Sequence, residues 1–573
     1  MPAFTPAALR ADTVGIDAPV QTPFGRRHLV YADFTASGRQ LGCIEERLRE
    51  LAVLYANAHT EDSLTGRTAT HLLHDAERVV KECVGAGPTG KVVACGNGST
   101  GAIHKLQQIL GIAIPPATLD GLARRLADLA AADPETGAAL SDDAAGRLVY
   151  DLRESGPVVF VGPYEHHSNE VTWREGLCTV VEVALDADGQ VCLDDLRAHL
   201  ADPRWEGRPR IGSFCAASNV TGVVAPVHEI ARVLHAHGAV AVFDYAAAGP
   251  YVEIDMTPEG DPDARLDAVF LSPHKFLGGP GSCGLLVFDE RLYPAHLAPT
   301  VGGGGTVSYV NDIYHDYLDD IEARETPGTP GFFQMLRAAY AFDVKRAVGV
   351  KTIHAREHAH LARAFDDWAL HDRISILGPL DADARLGIVS FNVLDGDDIL
   401  HPRFVTVLLC DLFGIQSRAG CSCAGPYGHR LLDIDRETSA RYRACSLDGY
   451  HGIKPGWCRV GFHYTMDDAE AGFVIDAVRF VADHGARFMP LYAFDVRSGT
   501  WQHRDAERAT PAFGLDTPTG IRVGRPLSEA ERAARYAAVL AEAHELAASM
   551  EAPETAPPTT AEYADLVFFS LPV

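Results

Sequence analysis

The sequence has no apolar run long enough to cross a bilayer: runs such as Val158 to Gly162 and Ala239 to Phe243 are far shorter than the ~20 residues a membrane helix needs. It also has no basic run. Its net charge of −27 comes from 77 acidic against 50 basic residues, so nothing in it would neutralise a phosphate backbone, and neither nucleic acid nor membrane is an expected partner. The twelve cysteines lie scattered from Cys43 to Cys458, and "MPAFTPAALRADTVG" at the start lacks the apolar core of a signal peptide. The expectation is a reduced, cytoplasmic protein. Cys421 and Cys423 form a Cys-x-Cys without the second ligand pair that zinc requires, so no metal is expected. No internal repeat is present.

A chain of 573 residues, 47% of them hydrophobic, can bury a large core shared by two or three domains. Apolar runs such as "KVVAC", "PVVFVG", "RIGSFCAAS", "AVAVFDY" and "DAVFLS" alternate with amphipathic stretches such as "TGAIHKLQQILGIA" and "VHEIARVLHAHG". Runs of that kind, bounded by glycine and each followed by a helix, predict an α/β protein with a mainly parallel sheet covered by helices. The expected organisation is a large α/β domain over 1–320, with a helical insertion at about 114–156 and an N-terminal segment free to join the smaller domain. A smaller α+β domain follows over 321–485, then a C-terminal extension over 486–573 with a linker-like break, "APETAPPTT", before a final apolar "LVFFSLPV".

The chemistry-bearing residues fall at strand ends. "LSPHKFLGG" places Lys275 after the strand "DAVFLS", where open α/β sheets gather ligands and partial burial makes an amine able to form a Schiff base. A surface lysine after a strand is the plain alternative. Asp244 ends "AVAVFD", where a buried carboxylate needs a cation such as a protonated pyridine nitrogen, unless it simply caps the next helix. "CGNGSTGAIHKL" follows a strand and opens a helix, so Gly98, Ser99, Thr100 and Gly101 offer N–H groups and hydroxyls to a phosphate. No Gly-Lys-Ser/Thr follows it, which removes a Walker loop. His166, in "GPYEHHSN", lies just past the strand "PVVFVG", where an imidazole could stack on a cofactor ring; a structural histidine, or a role for His167 instead, stays open.

Taken in order, the phosphate turn, "EHHSN", "SNVTG", "FDYAAAG" and "SPHK" resemble the class V aminotransferase fold of pyridoxal phosphate (PLP) enzymes, in its cysteine desulfurase and selenocysteine lyase branch, over roughly residues 30–482. The resemblance implies that Lys275 carries PLP, Asp244 pairs with its ring nitrogen, His166 stacks over the ring and Asn219 approaches the phenolic oxygen. Ser99, Thr100, Ser272 and His274 would hold the phosphate, and Thr306 of "GGGGT" would reach the phosphate of a neighbouring subunit in a homodimer. Relatives often carry a polar residue where "DYAAAG" has Ala247. The alanine-rich form is closer to the desulfurase domain of molybdenum cofactor sulfurases.

"FGIQSRAGCSCAGPYGHR" resembles the mobile loop of the desulfurases and aligns Cys423 with their nucleophile, Cys421 being an extra thiol; a buried, inert Cys423 is the alternative. Arg459 of "PGWCRVGFHY" matches the arginine that binds the substrate α-carboxylate, against a structural salt bridge. Ala36 and Asp33 in "YADFTASGR", with Asn57 and His59 in the next segment, resemble residues lining the substrate mouth. The implied reaction converts L-cysteine to L-alanine and leaves the sulfur on Cys423 as a persulfide, for a protein or small-molecule acceptor. The alternatives are another class V reaction on a different amino acid (an aminotransferase, epimerase or C–S lyase) or a non-catalytic scaffold.

Overall fold

The computed structural model describes residues 4–58, 60–132, 144–506, 514–515, 521, 523–558 and 561–572. The chain forms two compact units. The first comprises residues 44–218 and 224–346, and the second 1–43, 219–223 and 347–573.

The first unit is built on a seven-stranded sheet: β1 (Gly90–Cys95), β2 (Val158–Val161), β3 (Thr179–Glu182), β4 (Arg210–Cys215), β5 (Val240–Asp244), β6 (Ala268–Leu271) and β7 (Gly284–Asp289). Their order across the sheet is β1-β7-β6-β5-β4-β2-β3. The run from β3 to β6 is parallel throughout, and β7 is antiparallel to both its neighbours. β2 (VVFV) and β6 (AVFL) are buried at every position, so the unbroken apolar runs in the sequence reflect a sheet covered on both faces. Helix α1 (Gly98–Ile109) follows β1 directly, and its Ala102, Ile103 and Leu106 join Val93, Val159, Val242 and Phe270 in one core cluster. The α/β architecture expected from the alternating pattern is thus present. Between α1 and β2 run helices α2 (Pro116–Ala132) and α3 (Ala144–Ser155); residues 133–143 of the expected insertion lie outside the described residues.

The second unit carries an antiparallel sheet of β8 (Ile374–Ile376), β9 (Ile388–Asp395), β10 (Asp398–Ile399), β11 (Arg418–Gly420) and β12 (Trp457–Gly461). The unit also holds the short helix α4 (Gly425–Leu431) and, after β12, helix α5 (Asp468–Phe488), which buries most of its length. Residues beyond 485 belong to this unit. Helix α6 (Glu529–Ala548) opens on a capping box at Ser528 and Glu531, and its Tyr536 stacks on Phe473 of α5 at 4.1 Å. Arg532 of α6 bonds Asp467, while Arg10 from the N-terminal helix reaches Asp17 at 2.8 Å and Glu470 at 2.9 Å. The terminal apolar stretch encloses His401, whose ring meets Phe494, Trp501, Phe568 and Phe569. Burial pulls the His401 pKa down to about 4, and the neutral ring donates from Nε2 to the Gly452 carbonyl. Thr559 and Thr560 of the linker-like break lie outside the described residues.

Candidate active site

In the first unit, the carboxyl ends of β1, β2, β5 and β6 carry the residues singled out from the sequence. Gly98 has φ +57°, and a Cβ there would stand 2.8 Å from both Ser272 Oγ and His274 Cε1. Only glycine fits. The Ser99 N–H donates to Ser272 Oγ at 2.9 Å, and the Ser272 hydroxyl donates to Ser99 Oγ at 3.0 Å, so the β1–α1 turn and the β6 end are tied together. Asn97, at the cap, makes no side-chain bond to α1. The first turn of the helix therefore brings N–H groups, two serine hydroxyls and the His274 imidazole to one place. Burial, aided by the Lys275 charge, pulls the His274 pKa down to about 4. A neutral imidazole retains one donor and one acceptor.

Asp244, the last residue of β5, is 3% exposed and accepts the Ala246 N–H at 2.9 Å. Burial pushes its carboxyl above the ordinary value, opposed by the Ala246 N–H, the Lys275 charge and the Ser99 hydroxyl. Among the described residues it has no ion pair. A carboxyl whose pKa is raised in the folded chain binds more protons there than when unfolded, so its cost to stability grows as pH rises from 3.8 through the folded value and is fully present above it. Cofactor-free Asp244→Asn is therefore expected to melt about 1–3 °C above the wild type near pH 7, with the gap closing toward pH 4. Scanning calorimetry across that range checks this, and a less stable variant at pH 7 would contradict it.

His166 lies beside the same turn. Its Nδ1 accepts the Ser168 N–H at 3.2 Å, and Ser168 Oγ is 2.7 Å from Thr100 Oγ1. Beneath it is a residue that sequence reasoning missed. Glu165, 4% exposed, accepts from the Gly162 and Cys215 N–H groups and from Asn169 Nδ2, and Asn169 Oδ1 in turn accepts from Trp173 Nε1 and Ser213 Oγ. Burial pushes the Glu165 pKa up to about 7. This network fixes the loop carrying His166 to the end of β4, and the one signal for it was an acid directly before "HH". Lys345 was missed too: it donates to the Gly249 carbonyl at 2.6 Å and to that of Val252, closing the turn after Asp244, and lies 5.7 Å from the ring of Phe276. Burial pulls its pKa down to about 7.

Further residues singled out from the sequence of this unit take plain positions. The Thr306 hydroxyl turns into its own loop, donating to the Gly303 carbonyl at 2.8 Å. Ala247 is buried and places a methyl group in the turn after Asp244. Asn57 is exposed, and His59 lies outside the described residues.

The second unit brings a different set together. Arg459, on β12 and 3% exposed, donates from Nη2 to Asp33 Oδ1 at 3.0 Å and from Nη1 to the Asn219 carbonyl at 2.9 Å. Arg418 on β11 takes the other oxygen of Asp33 at 3.0 Å. Two guanidinium groups on one carboxylate leave one positive charge uncompensated, which suits a carboxylate ligand. Burial pulls the Arg459 pKa down, with Asp33 opposing. Ala36 is half-buried in the turn after Asp33, whose carbonyl accepts its N–H at 3.0 Å.

The cysteine loop joins this cluster. The Ala424 N–H donates to the Cys421 carbonyl at 3.0 Å, while Ser422 and Cys423 between them have φ of 51° and 57°. That is a type I′ turn built without glycine, at a cost of about 1–2 kcal/mol per left-handed residue. Two side chains hold it: Asn219 Nδ2 donates to the Ser422 carbonyl at 2.7 Å, and Trp457 Nε1 donates to Ser422 Oγ at 3.2 Å. The buried Asn219 Oδ1 has no hydrogen-bond partner among the described residues. Cys423 is the one exposed cysteine of the twelve, and Cys421 is half-buried. Among the described residues no group of three or more His, Cys, Asp or Glu could hold a metal ion, and no helix is long and apolar enough to cross a membrane.

Set beside known proteins, the chain matches the class V aminotransferase family model over residues 142–472. It is 28% identical over 291 residues to a probable cysteine desulfurase of Halalkalibacterium halodurans, covering 50% of this chain and 66% of that one. To a probable cysteine desulfurase of Halobacterium salinarum it is 31% identical over 306 residues, covering 52% and 68%. The matched stretch is thus about two thirds of these relatives' own length. Among solved structures, the cysteine desulfurase CsdA of Escherichia coli superposes with a TM-score of 0.61 at 19% identity, over 84% of this chain and 99% of that one. The cysteine desulfurase of Thermococcus onnurineus NA1 gives 0.59 at 20% identity, over 79% and 95%. With the sheet, the strand-end lysine and the family match in agreement, this chain belongs to the class V aminotransferase family of PLP-dependent enzymes.

Proposed function

We propose that the protein is a PLP-dependent cysteine desulfurase that converts L-cysteine to L-alanine and holds the sulfur on Cys423. The observation that carries this reading is the Cys423 turn: a strained, exposed thiol pinned through Ser422 by Asn219 and Trp457, in the unit that also holds the Arg459 and Arg418 pair. The first unit fits the cofactor on its own evidence. A phosphate suits the amino end of α1, where a side chain at Gly98 would collide with Ser272 and His274, and the buried Asp244, which has no ion pair among the described residues, suits a protonated ring nitrogen. When bound, the cofactor supplies an electron sink for an amino acid's α-carbon. Lys275 would attach it, Asp244 would hold its ring proton, His166 would face its ring, and Ser99, Thr100, Ser272 and His274 would hold its phosphate. Arg459 orients the substrate carboxylate. The Cys423 thiolate attacks the substrate sulfur, the carbon–sulfur bond breaks, and the carbon takes up a proton and leaves as alanine.

A homodimer belongs to this reading. Beyond Thr306, a hairpin exposes Tyr309, Val310, Ile313 and Tyr314, an apolar surface suited to a second copy. Incubating the cofactor-loaded protein with L-cysteine and a thiol reductant should give alanine and sulfide in equal amounts. The buried methyl of Ala247 favours a second reading, another class V reaction on a different amino acid. Turnover of another amine with no alanine from L-cysteine would replace the first reading with that one.

A further inference from the structure

Resting on the desulfurase reading, we propose that Cys421 is a resolving thiol: it discharges the Cys423 persulfide as sulfide and closes an intraturn disulfide with Cys423. Three features carry this. The turn defined by the Ala424 N–H and the Cys421 carbonyl has two left-handed central residues, which brings the Cα atoms of its first and third positions to about 5–6 Å, inside the range disulfides span. Ser422, between the two thiols, is clamped at its carbonyl by Asn219 and at its hydroxyl by Trp457, so the backbone of the turn is fixed before reaction. The two cysteines also differ in setting: Cys423 is exposed, so a leaving group on it departs into solvent, and Cys421 is half-buried just past the end of β11.

The step balances without an added oxidant. The Cys421 thiolate attacks the Cys423 sulfur, the bond between that sulfur and the sulfane sulfur breaks, and its electron pair leaves with hydrosulfide. The sulfane sulfur is reduced by two electrons as the two thiols are oxidised by two. Hydrosulfide is the less basic leaving group, which favours this direction of cleavage. A dithiol reductant resets the turn by exchange, so each turnover consumes one dithiol and releases free sulfide.

The test is intact-protein and peptide mass spectrometry of the cofactor-loaded enzyme after L-cysteine, without reductant, with alanine and sulfide measured in the same sample. The expected result is one alanine and one sulfide per site, and a protein lighter by two hydrogens with a Cys421–Cys423 crosslink. Cys421→Ser should instead keep the added sulfur atom on Cys423 and release sulfide at least about tenfold more slowly. Alanine together with a stable persulfide on the wild type would overturn the proposal. Absence of alanine would overturn the desulfurase reading, and a second arm then decides the resolving role by itself. The thiols are loaded with inorganic polysulfide, the excess is removed, and sulfide release is followed in wild type and Cys421→Ser. Equal release from both, without a crosslink, sinks the proposal.

Discussion

Lys275→Ala is expected to reduce turnover by about 10³-fold or more and to abolish borohydride-fixable attachment of PLP to the chain. The lysine is half-buried on a short 3₁₀ turn after β6, its N–H donating to the Ser272 carbonyl, and its charge reaches both Asp244 and His274. Because that charge lowers both pKa values, its removal should raise both in the cofactor-free protein. For His274 the burial effect remains, so its pKa should climb from about 4 but stay below the ordinary 6.5. NMR titration of the cofactor-free variant reads this shift independently of activity. Retained turnover and covalently held cofactor in Lys275→Ala would remove Lys275 from the site.

Cys423→Ser is the second large effect. Alanine production from L-cysteine should fall by about 10³-fold, since a hydroxyl at its ordinary pKa supplies almost no anion near neutral pH, whereas a thiol supplies a few per cent. Serine keeps the left-handed backbone at φ 57° at the same cost, and the turn is held through Ser422 rather than through Cys423. The melting temperature should therefore stay within about 1 °C of the wild type. Unchanged alanine production would make Cys423 a bystander and favour a different amino acid substrate.

The sheet and the residues on its edge were legible because both leave local marks. β2, β5 and β6 are continuous apolar runs, and Asp244, Lys275 and Ser99 stand at or just past strand ends, where a parallel sheet collects them whatever its loops do. Glu165 and Lys345 left no such mark. Their partners are backbone groups of other segments, and a single buried acid or lysine in the sequence does not say what will satisfy it. The same holds for the cysteine turn. Its left-handed Ser422 and Cys423 break the glycine rule by which turns are read, and the contacts that stabilise them come from Asn219, 203 residues away, and from Trp457. Arg459 was legible as a strand arginine, but its pairing with Asp33, 426 residues earlier, depends on the N-terminal segment folding into the second unit. The terminal "LVFFSLPV" carried apolar character alone, and His401, the group it encloses, could be named only from the folded chain.

The most direct test of the central claim is the location of the sulfur after one turnover. Cofactor-loaded protein is mixed with sulfur-labelled L-cysteine, quenched with an alkylating agent on the timescale of a single turnover, and digested for peptide mapping, with alanine quantified in parallel. The account predicts labelled sulfur that appears first at Cys423, with the sulfur on that peptide and the labelled sulfide released on closure of the Cys421–Cys423 crosslink together matching the alanine. Alanine with neither sulfur nor a crosslink on that peptide, or labelled sulfur on any other cysteine, would contradict it.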